Sequence, residues 1–235
     1  MIDNLKRYLR LMLYSARLVA GRKFWIVIFI PVLWLFLRAV IIIFGSGGKL
    51  VPQDAHLLMS LPISVVAMGL GIRLIAGEID GRTLEIAYTV PGGCSRVWLA
   101  KIATSVSMLL ASEILLAVFT MIFFTSVTPG TFYGVLQASV FYMIAGMAFS
   151  AFFRNEITGA MATVVLYSIN IFVQLASDVQ FRVSPFFNPL AIESPDKRQI
   201  LSYTIQNRIF FIILIVILSL LTFARVERRE KMLRD

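Results

Sequence analysis

The chain has 235 residues, 59% of them hydrophobic and only 15% charged, with a net charge of +9 and a mean hydropathy of +0.85. Soluble domains run nearer to about 45–50% apolar and about 25% charged, so the composition excludes a soluble enzyme and describes an all-α polytopic membrane protein. No polar block is long enough to fold by itself, which leaves one transmembrane domain over residues 1–235.

Residues 3–22 are expected to form an amphipathic elbow helix. Leu5, Leu9, Met12, Ala16 and Val19 make an apolar stripe, while Lys6, Arg10 and Arg17 fall within about 40° of one another on a separate face. That pattern suits a helix lying in the headgroup plane, either gripping the leaflet beside the first span or serving as a plain anchor. The segment is too long and too amphipathic for the basic start of a cleavable signal.

A hydrocarbon core about 30 Å thick needs roughly 20 apolar residues of helix, and six segments qualify: 24–44, 57–76, 99–125, 132–153, 158–177 and 207–224. Sixteen Lys and Arg residues fall on one side of these spans and five on the other, with Arg38 inside the first. The positive-inside rule therefore predicts cytoplasmic N- and C-termini. The charge is assigned to topology and anionic lipid, not to nucleic acid, because no basic block carries interleaved aromatics.

Few polar groups sit at membrane depth. Arg38 and Glu113 are each roughly 14 positions into parallel spans, so their depths match and an ion pair is expected between them. Asn170 and Gln174, spaced i, i+4 on the fifth span, are expected to hydrogen-bond to neighbouring helices or to line a polar stripe of a pathway. Arg73 lies close enough to the cytoplasmic end to snorkel. The loop 178–206, expected outside, carries Phe181, Phe186, Phe187, Leu190 and Ile192 among three prolines. It is expected to dip back as short half-helices, either as a lid or packed against neighbouring loops.

Intrinsic catalysis is not expected. The single His, His56, is placed in the first external loop with no carboxylate partner, and HExxH, GxSxG and paired-Cys patterns are missing. The lone Cys94 offers no metal-ligand spacing, and no GxxxxGK[ST] phosphate loop occurs.

The polar island Glu78 to Pro91 interrupts this apolar sequence between the second and third spans, where a short cytoplasmic amphipathic helix is expected. Glu78, Gly81, Thr83-Leu84-Glu85, Pro91, Arg96 and Lys101 resemble, in that order, the E…G…TLE…P…R…K signature of type-2 ATP-binding-cassette (ABC) exporter permeases. The elbow helix, the six spans and the apolar loop before the last span fit the same family over nearly the whole chain. Two departures stand out: Arg82 separates Gly81 from Thr83, and Gly92-Gly93 lengthens the turn after Pro91.

The resemblance implies a permease in the prokaryotic inner membrane that pairs with itself or a paralogous permease. Two ABC-type ATPase subunits would dock below and carry ATP and Mg, with no cofactor on this chain. Glu78, Gly81, Thr83, Leu84, Glu85 and Pro91 would form the docking site, with 83–90 as the coupling helix. Thr83 would cap that helix, Glu85 would sit in its first turn, and Glu78 and Glu85 would pair with basic groups on the ATPase. Mostly apolar spans lean toward a lipid, peptide or drug as cargo. The alternative is a non-transport assembly or scaffolding subunit whose island binds another partner. Within the first class, the ATPase would power translocation, extraction or signalling.

Overall fold

The structure, a computed structural model, describes residues 16, 19–21, 23–44, 51–80, 94–176, 181–192 and 197–227. Among them are six α-helices and no strand: α1 Phe24–Phe44, α2 Asp54–Asp80, α3 Cys94–Phe123, α4 Pro129–Phe153, α5 Glu156–Ala176 and α6 Lys197–Val226. All six are long and apolar enough to cross a membrane, as a multi-pass protein requires.

Several boundaries differ from expectation, for one reason: hydropathy locates the apolar stretch of a helix, not its ends. α3 begins at Cys94 instead of 99, and α6 begins at Lys197, ten residues before the expected 207. The added turns of α6 are polar but helical, and the i, i+4 bonds Gln199–Tyr203 (2.6 Å) and Gln206–Ser202 (3.4 Å) support them. The loop before α6 is correspondingly shorter than the 178–206 expected. Its single helical feature among the described residues is a 3-10 turn at Pro189–Ala191.

That loop is not a free flap. Phe186 and Phe187 are buried, with Phe186 packed on Tyr142 and Tyr167 at centroid distances of 5.6 and 5.8 Å. Asn188 donates to the Gln53 carbonyl at 2.7 Å, and Asn207 of α6 donates to the carbonyls of Arg182 and Ser184. Phe186 thus packs on the helices α4 and α5 and not on a neighbouring loop, while Phe181 and Leu190 stay exposed.

The core is a pair of helices. About 72% of the spanning windows of α2 and α4 is buried, against 11% for α5 and 17% for α6, and α2 with α4 forms the most extensive helix contact. Small residues allow this approach. A Cβ on Gly71 would run into the Met143 carbonyl group, and one on Gly146 would lie 3.1 Å from the Met68 oxygen.

The other helices pack around that pair. The Tyr167 hydroxyl of α5 donates to the Leu61 carbonyl of α2 at 2.9 Å. Phe211 of α6 meets Phe141 of α4 edge-on at 5.0 Å. Ser112 of α3 donates to the Ile28 carbonyl of α1 at 2.9 Å. The apolar faces left outward on α1, α5 and α6 are those that lipid tails solvate.

α4 and α5 are separated by two residues because the sequence caps both sides. Arg154 takes a left-handed conformation (φ 53°), and the Asn155 side chain accepts from the Thr158 amide at 2.9 Å. At the other end of α4, Thr128 caps the helix and Pro129 occupies its first turn.

Of the expected elbow helix 3–22, Ala16, Val19 and Ala20 are described and helical, and Ala16 and Val19 are buried beside Phe24 and Ile28. The remainder of that segment, apart from Gly21, lies outside the described residues, as does the whole of 83–90.

Candidate functional site

The most constrained polar arrangement lies where α2 ends and α3 begins, at the base of residues 81–93. Glu78 stands in the last turn of α2, where the helix dipole disfavours a carboxylate. Trp98 and Lys101, spaced i, i+3 on α3, face it together. The Trp98 Nε1 donates to Glu78 Oε2 at 2.9 Å, and Lys101 Nζ forms an ion pair with Glu78 Oε1. Trp98 is 1% and Lys101 7% exposed, so the clasp is largely dry.

Neighbouring contacts extend the clasp across this end of the bundle. The Trp98 ring stacks on Phe223 of α6 at 6.4 Å. Arg225 donates to the Phe152 carbonyl of α4 at 3.0 Å and lies over the Phe152 ring. Arg73, expected merely to snorkel, has its Nε 3.2 Å from Glu156 Oε1 at the start of α5. Its side chain is 59% exposed, so that pair is solvated and contributes little, within about 1 kcal/mol.

Of the residues singled out for docking, Glu78 is thus engaged within its own chain. Gly81, Thr83, Leu84, Glu85 and Pro91 lie outside the described residues. Lys101, last in the signature, is brought onto Glu78, the first, while Arg96 is exposed one turn earlier on α3.

The expected Arg38–Glu113 ion pair does not form. Equal depth was a count from the expected span starts, and α3 begins five residues earlier; the count also says nothing about azimuth. Phe24, Ile28, Pro31, Leu35 and Ala39 form the buried face of α1, and Arg38 falls about 60° from its centre at 100° per residue and is exposed. Glu113 is fully buried and faces the backbone of Leu136 on α4, yet neither oxygen completes a hydrogen bond. Breaking a buried ion pair costs about 3–5 kcal/mol. Since no pair is present, Glu113→Gln is expected to leave the unfolding temperature of the full chain in detergent unchanged or higher.

Asn170 donates back to Leu166 of its own helix at 2.9 Å, and its side chain also faces the Tyr142 hydroxyl of the neighbouring α4. Gln174 leaves a buried Oε1 without a partner.

Sequence reasoning missed Trp98, whose indole completes the clasp. Its spacing from Lys101 was the available signal. It also misplaced His56, which is not in the first external loop but in the first turn of α2 and fully buried. No group of three or more metal-ligating side chains occurs among the described residues. Comparison of the chain with protein-family models, with curated proteins and with solved structures found no match.

Proposed function

We propose that the chain is the membrane-spanning permease subunit of an ABC exporter, paired with a second permease and driven by a separate ATPase docked on residues 83–90. The observation that carries this reading is the Glu78–Trp98–Lys101 clasp. It closes the first residue of the signature onto the last, so a push on the segment between them loads α2 and α3 together. α2 belongs to the buried α2–α4 pair, and movement there would reach the whole bundle. Glu78 serves the lever from inside the chain, and Glu85 is left as the docking carboxylate.

The two surfaces of α2 that are not sealed suit an apolar or amphiphilic cargo. A groove of about 720 Å³ runs between α2 and α5 past Gly69, Ile72, Ala160 and Val164, with Arg73 and Glu156 at its rim. A second, about 290 Å³, is lined by Trp34 of α1, Pro62 and Val65 of α2, and Tyr167 of α5. In this reading the clasp end faces the cytoplasm, as the distribution of Lys and Arg predicts.

The test is affinity purification of the detergent-solubilised, tagged chain from its native host, with mass spectrometry and an ATP-hydrolysis assay. A stoichiometric Walker-type ATPase is expected. Glu85→Arg is expected to weaken its retention at least about tenfold, because opposing like charges costs more than 1.4 kcal/mol. A stable six-span protein with no ATPase attached would instead establish the assembly or scaffolding reading.

A further inference from the structure

At the end of the bundle remote from the clasp, α2, α4 and α6 bring polar side chains together inside the protein. His56 is fully buried, and neither ring nitrogen has a hydrogen-bond partner. Arg208, in the fourth turn of α6, reaches the same place. Its Nη1 donates to Gln137 Oε1 at 2.9 Å, and Gln137 Nε2 donates to the Arg208 carbonyl at 2.8 Å. That reciprocal pair fixes the guanidinium, yet its Nη2 is buried with no acceptor. A Cβ on Gly134 would lie 2.5 Å from Arg208 Nη2 and 2.8 Å from His56 Nε2. The two nitrogens therefore converge over a residue of α4 that has no side chain, without bonding each other.

Charge adds a second, independent indication. Among the described residues no carboxylate forms an ion pair with Arg208, whereas Arg73 and Lys101 each have one. A guanidinium taken from water without a counter-charge costs several kcal/mol. An imidazole in either tautomer keeps one N–H to donate. Two donors aimed at one point, one of them cationic, match an anionic oxygen. Depth and access fit as well. His56 is in the first turn of α2 and Gly134 in the second turn of α4, within about 10 Å of the helix ends, where headgroups lie. Arg208 is half-buried, and its guanidinium stands 5.5 Å from the centre of the exposed Tyr133 ring, so the arginine side of the site lies near the surface.

We propose that His56, Gln137 and Arg208, gathered over Gly134, form a binding site for a phosphate oxyanion, carried by a lipid headgroup or free in solution. The site stands apart from the clasp and does not rest on the transport reading.

His56 is the only histidine of the chain, so histidine labelled with nitrogen-15 gives a single imidazole to follow by NMR. The full chain in maltoside micelles, which contain no phosphate, would be titrated separately with inorganic phosphate and with phosphatidylglycerol. A saturable shift of the imidazole signals is expected. A response to both titrants marks a general phosphate site, a response to the lipid alone marks a headgroup site, and a response to inorganic phosphate alone marks a soluble ligand. Gly134→Ala, whose methyl would push the His56 and Arg208 side chains out of register, and Arg208→Gln are each expected to weaken binding at least tenfold. No saturable shift in the wild type with either titrant would overturn the proposal, and so would an undiminished shift in Gly134→Ala. The wild-type titration decides the matter even if a variant fails to fold.

Discussion

Lys101→Met is expected to destabilise the chain by about 3–5 kcal/mol, because it leaves the Glu78 carboxylate in a dry pocket with only the Trp98 indole for company. The loss would be read as a lowered unfolding temperature of the full chain in detergent. Glu78→Gln should cost less, since the amide oxygen still accepts a hydrogen bond. Removing both charges together, as Glu78→Leu with Lys101→Met, should recover most of the loss, because a buried pair replaced by apolar groups is often near neutral. The comparison with Arg73→Gln is decisive. That ion pair is solvated, and its loss should cost no more than about 1 kcal/mol. If Arg73→Gln proved as damaging as Lys101→Met, the clasp would not be what holds this end of α2.

Gly71→Ala is expected to be at least as disruptive as the loss of Lys101, for a different reason. The added methyl would meet the carbonyl group of Met143, with the carbonyl carbon 2.7 Å away and the Cα 2.9 Å away. Backbone cannot swing aside as a side chain does, so α2 and α4 must separate along the most extensive interface of the fold. Overpacking typically costs about 1–3 kcal/mol and more where the obstacle is rigid, and a loss of about 3 kcal/mol or more is expected. Gly69, two residues away, has nothing within 4 Å of its Cβ position. Gly69→Ala should fall within about 0.5 kcal/mol of wild type in the same unfolding assay. A loss at Gly71→Ala no larger than at Gly69→Ala would show that the α2–α4 contact does not set the effect, since helix propensity favours Ala at both positions.

The number and order of the helices were legible because each span carries its own signal, an apolar run of sufficient length. What was not legible depends on rotation about the helix axis. Counting along α1 and α3 gave Arg38 and Glu113 equal depth, but Arg38 lies to the side of the buried face of α1 and is exposed. The start of α6 was missed because a polar turn such as Lys197–Gln199 carries no hydropathy signal, although its side chains support helix as well as any. Within the clasp, Glu78 and Lys101 were picked out by their order in the signature. That they meet each other, with Trp98 between them and Phe223, follows from how α2, α3 and α6 pack. His56 was misplaced because three residues of additional helix at the start of α2 take it from a loop into the interior.

The pairing of α2 with α4 has a consequence for biosynthesis. The two helices are not consecutive, and α3 must be made between them. At about 5–20 residues per second, the ribosome needs roughly 4–15 s to pass from Asp80 to Phe153. Throughout that interval the face of α2 at Gly71 lacks the α4 backbone that will pack closely on it. Lipid tails do not reproduce that close backbone contact. Most of α2 is buried in the finished bundle, so the insertion machinery must shelter it until α4 is made, and a delay in making α4 would prolong that exposure.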